Sequence, residues 1–402
     1  MSNFFKMMNS YKYVVRSTRK RSILINFIQQ RSVCVDKCID PVQYKTPLVK
    51  KVSKIQRAKY GGRQVVTMIP GVGIGPEVMQ QVLNVFKFAG APINFEVIHL
   101  DGSSTNEDFE IALTSIRRNG IAIIGHLDKR HLNTREGIPS IPRNVSLRNE
   151  LDLFVNCIHC HSLPVPSSRK RIDLVIIRQN TEGEYSMLEH ETVRGVIESL
   201  KIITRSNTER VARFAFNYAR AHKRSRVTTV HKANTMKLSD GLFLETTKRI
   251  AQEYPDIIHD DVIVDNCCMH LVSNNAQYDI LIMPNLYGTI ISNIVCGIMG
   301  GPGLFAGVNY GDHYAVFEAA TRNIASSIAG KNIANPVAML SAGVKLLEHL
   351  GYTKHSNAIR YAILKTIFID EIRTPDIGGT ATTEDVTSAV NTNISALTPR
   401  IW

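Results

Sequence analysis

Short apolar runs recur along this chain at Gln64 to Ile69, Ile121–Ile124, Leu174–Ile177, Val227–Val230, Val262–Val264 and Ile280–Met283. Each has the length of a buried strand, and the segments between them are long enough for helices. Val78 to Phe88, for example, carries helical periodicity. Strands alternating with helices predict an α/β fold. Between the first strand and that helix, Pro70-Gly71-Val72-Gly73-Ile74-Gly75-Pro76-Glu77 predicts a turn. The spacing of Gly71, Gly73 and Gly75 is G-x-G-x-G rather than the G-x-G-x-x-G of a dinucleotide fingerprint, so by itself it indicates only a tight turn. No repeat, heptad run or flexible linker interrupts the pattern, so any two domains are expected to be interwoven. No apolar stretch approaches the roughly 20 residues of a membrane helix, and a soluble chain with no membrane partner is expected.

Composition adds one thing to this picture, which is where the charge lies. The chain has 402 residues, 44% hydrophobic and 21% charged, enough for a sizeable core, with a formal net charge of +13. Residues 1–63 hold fifteen lysines and arginines against only Asp36 and Asp40, and the rest of the chain carries 33 charges of each sign. The folded part is therefore neutral, and no nucleic-acid partner is indicated. Met1 to Val35 contains no acidic residue, while Lys6, Lys12, Arg16, Arg19, Lys20, Arg21 and Arg31 are spread among apolar and serine residues. That is the composition of a mitochondrial transit peptide, so residues 1–60 are read as transit peptide and basic linker, and the mature protein as residing in the matrix. Seven cysteines, two of them in the leader, suit a reducing interior. Cys157-Ile158-His159-Cys160 has half the spacing of a zinc site, but Cys267 and Cys268 are adjacent and would diverge on a strand, so buried structural thiols are expected.

Three longer motifs identify the family. Arg178-Gln179-Asn180-Thr181-Glu182-Gly183-Glu184-Tyr185, His231-Lys232-Ala233-Asn234 and Met283-Pro284-Asn285-Leu286-Tyr287-Gly288 resemble, in order, those of the isocitrate and isopropylmalate dehydrogenases. Beside them, Gly71 to Glu77 resembles that family's G-D-G-I-G-P-E opening, and the resemblance covers roughly residues 64–400. It implies a two-domain α/β fold with a discontinuous large domain, residues 61–153 plus 300–402. A smaller middle domain, residues 154–299, would clasp a partner subunit. Because two subunits of that family share each active site, it also implies an obligate oligomer.

Oxidative decarboxylation of isocitrate needs cations for three carboxylates, a divalent metal, acid–base groups and a nicotinamide site. Arginine suits the first task because its planar fork grips carboxylates in two places. Of three arginine positions implied by the resemblance, Arg148 and Arg178 are filled and the third is Ile158. Where active members place metal-binding aspartates this chain has Thr289 and Asn293, whose i, i+4 spacing puts them on one helix face. Neutral groups there are a weak anchor for magnesium. Gln179 replaces a glutamate, Val72 an aspartate, and Thr321-Arg322-Asn323-Ile324-Ala325 the H-G-T-A-P after Phe317-Glu318. The chain alone is expected to be inactive.

Lys232, Asn234 and Asp265 belong to the set that the family extends into the neighbour's site, Asp265 as a metal ligand in trans. The donated half is kept while the receiving half is lost. Gly300-Gly301-Pro302-Gly303, Ala306 to Gly311 and Thr374 to Gly379 resemble gamma-type regulatory subunits, whereas Asp265 to Met269 leans toward the beta type. That resemblance implies a tricarboxylate effector, citrate, held by Asn144, Arg148, Arg178, Tyr185 and Arg322. It also implies ADP near Arg322 and Asn323, and a hetero-oligomer with an alpha-type catalytic subunit that binds NAD and Mg2+. Pro142 stands where a serine hydroxyl would be expected, and proline supplies neither that donor nor an N–H. The competing readings are an active dehydrogenase of isocitrate or a related 2-hydroxy acid, and a non-enzymatic scaffold paralogue.

Overall fold

Why the apolar runs become strands is visible in how they are buried. The computed structural model describes residues 62–101, 103–127, 142–161, 172–273, 277–321 and 323–397. The basic leader and Arg322 lie outside the described residues. The chain opens with β1 (Gln64–Gly71), α1 (Gly75–Phe88), β2 (Ile93–Val97), α2 (Asn106–Asn119) and β3 (Ile121–His126). It continues with α3 (Arg143–Glu150), β4 (Val155–His161), β5 (Asp173–Gln179), and a hairpin of β6 (Gly183–Val193) and β7 (Val196–Ile202). Then come α4 (Arg205–Ala221), β8 (Arg226–His231), α5 (Ser239–Ala251), β9 (Ile258–Ile263), α6 (Val264–Ser273), β10 (Ile280–Met283) and α7 (Asn285–Met299). The last part contains β11 (Ala306–Tyr310), β12 (Ala315–Ala319), α8 (Val337–His349), α9 (Thr353–Phe368) and α10 (Thr383–Ser395).

Ten strands form one sheet in the order β2-β1-β3-β12-β11-β4-β5-β10-β8-β9, and β6 and β7 pair separately. The flanks β2-β1-β3-β12 and β5-β10-β8-β9 are each parallel, while β12-β11, β11-β4 and β4-β5 are antiparallel. Two parallel half-sheets of opposite sense therefore meet at a four-strand antiparallel centre. Helices cover both faces, as parallel strands require. On β5, Leu174 and Ile176 enter one core cluster while Val175 and Ile177 enter another, so successive side chains feed opposite faces.

Local signals fix several helix ends. Thr105 caps α2 and Thr382 caps α10, each in a capping box completed by an aspartate three residues on. Gly120 ends α2 and Gly300 ends α7 at φ of 75° and 114°, which glycine adopts without a Cβ penalty.

One expectation needs correction. Val262–Val264 is not a strand of its own: β9 begins at Ile258 and ends at Ile263, and Val264 already opens α6. Cys267 and Cys268 lie on that helix, where consecutive side chains diverge by about 100°, Cys267 buried and Cys268 half-buried. Cys157 and Cys160 are buried on opposite faces of β4, in separate core clusters, so they do not form half of a metal site.

Candidate functional site

Arg178 is the buried penultimate residue of β5 and shares the face of Ile176 by strand alternation. Its Nη1 donates to Thr289 Oγ1 at 2.7 Å and its Nη2 to Asn180 Oδ1 at 2.8 Å. Tyr185 Oη donates to the same threonine hydroxyl at 3.0 Å, and its ring centroid is 5.8 Å from the guanidinium. The side chain reaches this position because residue 288 on α7 is glycine. A Cβ there would sit 2.2 Å from Arg178 Cγ.

Arg148, on α3, is 2% exposed, and its Nη2 stands 3.6 Å from Glu318 Oε1 on β12. Among the described residues neither of its Nη atoms has a hydrogen-bond partner, and Arg178 Nε is likewise buried without an acceptor. Burial, and then the charge of Arg148, pull the Arg178 guanidinium down to about 9. Burial also lowers Arg148, opposed by Glu318 and Tyr185. Asn144 lies one helical turn before Arg148 and is half-buried.

A buried web of amides joins the two arginines. Asn309 Nδ2 on β11 donates to Glu318 Oε1 at 2.8 Å. Its Oδ1 accepts from Asn156 Nδ2 on β4 at 2.9 Å and from Asn180 Nδ2 at 3.1 Å. Asn180 in turn holds Leu153 O at 3.0 Å and accepts from Arg178. The web spans the antiparallel centre of the sheet. Sequence reasoning missed it, since Asn156 and Asn309 are 153 residues apart.

This arrangement suits an anion. Two buried guanidinium groups have three donor atoms unpaired, and an unpaired buried donor costs roughly 1–3 kcal/mol. Carboxylates would satisfy such donors bidentately. It does not suit magnesium. The Thr289 hydroxyl is occupied by Arg178 and Tyr185, and Asn293 turns its amide back to donate to Thr289 O at 2.8 Å. Neither offers an anionic oxygen. Among the described residues, no group of three or more His, Cys, Asp or Glu side chains has a geometry that holds a metal ion. Ile158 is 1% exposed in the core, opposite Ile176 in the β4–β5 register. Gln179 stabilises its own turn, its Oε1 accepting the N–H groups of Thr181 and Glu182.

The glycine turn is a close-approach device. Gly71 and Gly73 have φ of 72° and 64°, and a Cβ would fall 2.1 Å from His126 O or 2.0 Å from Ile324 O. Ile74 N–H donates to Ile324 O at 3.1 Å, so the segment after Glu318 folds directly onto this turn. The side chain packed there is Ile324. Asn323 is exposed, and its Oδ1 accepts the Ala325 N–H at 3.1 Å.

Lys232, Asn234 and Asp265 form a second group. Lys232 and Asn234 lie on the turn after β8, and Asp265 is in the first turn of α6. Lys232 Nζ pairs with Asp265 Oδ2 at 3.0 Å, their side chains 27% and 67% exposed, and Lys232 holds that carboxyl below its usual range. Asn234 is exposed. Among the described residues, no direct hydrogen bond or ion pair joins this group to the Arg148–Arg178 pocket. The β6–β7 hairpin exposes Met187, Leu188, Val193, Val196, Ile197 and Leu200.

Residues 65–390 match the family model described as isocitrate/isopropylmalate dehydrogenase, and the chain belongs to that family. Within it, the chain is 50% identical to the human mitochondrial isocitrate dehydrogenase [NAD] subunit gamma, over 85% of this chain and 87% of that one. It is 46% identical to the human subunit beta, over 84% and 88%. The crystal structure of isocitrate dehydrogenase from Methylococcus capsulatus superposes with a TM-score of 0.74 at 36% identity, covering 82% of this chain and 99% of that one. The resemblance is thus to the gamma type first and the beta type second. Like these relatives, the chain is a mitochondrial matrix protein.

Proposed function

We propose that this chain is a non-catalytic regulatory subunit of an NAD-dependent isocitrate dehydrogenase, acting where isocitrate is oxidised to 2-oxoglutarate in the tricarboxylic acid cycle. Its partner is an alpha-type catalytic subunit that binds NAD and Mg2+. The discontinuous large domain comprises residues 61–153 plus 300–402, and residues 154–299 form the clasp. The apolar β6–β7 hairpin lies within that middle segment, which supports its role as the surface that meets the partner. Residues 1–60 comprise the transit peptide that directs import and a basic linker.

The observation that carries this reading is the contrast between the two groups of residues. In the chain's own pocket, Thr289 is bound between Arg178 and Tyr185 where a metal-binding carboxylate would be needed. Lys232 and Asp265 remain paired and accessible on the surface. Lys232 and Asn234 assist proton transfer and binding in the partner's site, and Asp265 adds an anionic oxygen to its metal shell. Arg148 and Arg178, with Asn144, Tyr185 and Arg322, receive citrate, and Arg322 with Asn323 receives ADP. An effector acts here by favouring the arrangement in which the partner's site is complete.

The test is NADH formation from isocitrate and Mg2+ by the leader-trimmed chain alone, the alpha-type partner alone and the two co-expressed, each with and without citrate and ADP. Activity confined to, or strongly raised in, the co-expressed sample and stimulated by effectors is expected. Turnover by this chain alone would favour the active-dehydrogenase reading. An unaffected partner would favour the scaffold.

A further inference from the structure

His231 ends β8 immediately before Lys232, and nothing in the chemistry of the pocket uses it. It is 5% exposed. Its Nδ1 lies 3.0 Å from the backbone N of Ala233, and its Nε2 lies 3.0 Å from Asp261 Oδ2 on β9. A backbone N–H only donates, so Nδ1 accepts, the ring proton sits on Nε2, and that proton is given to Asp261. The other oxygen of Asp261 is 2.8 Å from Lys248 Nζ on α5. Burial raises the Asp261 carboxyl, but Lys248 and His231 outweigh it and hold it ionised. The ring is thereby fixed from both sides, by an anchored anion at one nitrogen and the turn backbone at the other.

The turn it holds is the one that carries Lys232 and Asn234. Thr235 N–H and Met236 N–H both return to Lys232 O, at 3.0 and 2.9 Å. The Ala233 N–H faces the opposite way, onto the imidazole. Asp261 belongs to the strand that leads directly into α6, whose first turn holds Asp265, the ion-pair partner of Lys232. One buried ring thus ties the β8 turn to the strand that delivers Asp265. We propose that His231 is a positioning residue: through its Nδ1 acceptor and its Nε2–H bond to Asp261, it sets the geometry in which Lys232 and Asn234 enter the partner subunit's active site. This rests on the reading that the chain completes its partner's site.

Asparagine at the same place has a side-chain oxygen able to accept from the N–H two residues on, as in an Asx turn, whereas alanine has none. The experiment compares wild type, His231→Ala, His231→Asn and Lys232→Ala, each co-expressed with the alpha-type subunit, reading kcat and KM for isocitrate and recovery of the complex. His231→Ala is expected to lower kcat about 10- to 100-fold, the scale of a catalytic group displaced by about an ångström. Complex recovery and KM should stay within about threefold. His231→Asn should restore kcat to within about threefold of wild type. An unchanged kcat in His231→Ala overturns the proposal. So does an asparagine variant as slow as alanine, or a loss confined to complex recovery. Lys232→Ala separates the two claims: full activity there would refute the completion of the partner's site and the role of His231 with it, whereas a slow Lys232→Ala beside a fully active His231→Ala would refute the role of His231 alone.

Discussion

Asn309 is the hub of the web between the two buried arginines, so replacing it should be costly even where shape is preserved. Leucine shares the branched outline of asparagine and leaves no cavity but is bulkier, so overpacking adds to the loss of the hydrogen bonds. In Asn309→Leu, Asn156 Nδ2 loses its acceptor and Glu318 Oε1 loses its donor from this residue, while Asn180 keeps Leu153 O. Glu318 still has the Arg148 guanidinium 3.6 Å away, so the stranded buried group is Asn156 Nδ2, at a cost of roughly 1–3 kcal/mol. At roughly 2–4 °C per kcal/mol for a domain of this class, the midpoint should fall by about 2–12 °C. Asn309→Asp is the sharper companion: it keeps acceptors for Asn156 and Asn180 but loses the donor and sets a second carboxylate against Glu318. It should be at least as unstable. Urea unfolding followed by fluorescence, with thermal melts beside it, reads both variants. A loss below about 1 kcal/mol in Asn309→Leu would refute the view that this web is a buried, mutually dependent structure.

Three further outcomes are expected. Gly288→Ala sets a methyl 2.2 Å from Arg178 Cγ, so Arg178 must swing away, and calorimetric citrate affinity of the leader-trimmed chain should fall at least about tenfold. Unchanged affinity would remove Arg178 from the binding site. Burial drives His126 down to about 4 from 6.5, so the unfolded chain takes up a proton below pH 6.5 that the folded chain refuses until about pH 4. This site therefore lowers stability as pH falls across that window, by about 3 kcal/mol in all at ~1.4 kcal/mol per unit. His126→Gln should flatten that part of the curve, and an identical slope would contradict it. Hydrogen bonds from Arg118, Ser115 and Asn119 hold Glu96 down to about 2. Its contribution is present above pH 4.5 and is lost as pH falls toward 2, so Glu96→Gln should differ from wild type in urea midpoint at pH 7 and converge with it near pH 2.

The sequence was legible where one physical constraint dominates. Leu174–Ile177 and Ile280–Met283 are buried on both faces, so an uninterrupted apolar run was sufficient evidence of a strand. β9 is an edge strand reading Ile-His-Asp-Asp-Val-Ile, and its charged middle hid its first half. The β6–β7 hairpin gave no buried run because most of its residues are exposed within this one chain. At the candidate site, the helical spacing of Thr289 and Asn293 was readable, and so was the neutral character of both. Where Thr289 points was not, because its donors Arg178 and Tyr185 come from strands more than 100 residues earlier. The Asn156–Asn309–Asn180 web and the His231–Asp261 pair are likewise set by register between strands distant in sequence, to which local spacing is blind.

The central claim is that this chain keeps what it lends and has lost what it would need for itself. A single-turnover experiment tests it most directly, with the leader-trimmed chain in excess over isocitrate, saturating NAD+ and Mg2+, and NADH fluorescence as the readout. No NADH is expected from this chain alone, and prompt formation when the alpha-type subunit is present. A burst of NADH from the isolated chain, abolished by Arg178→Ala, would contradict it.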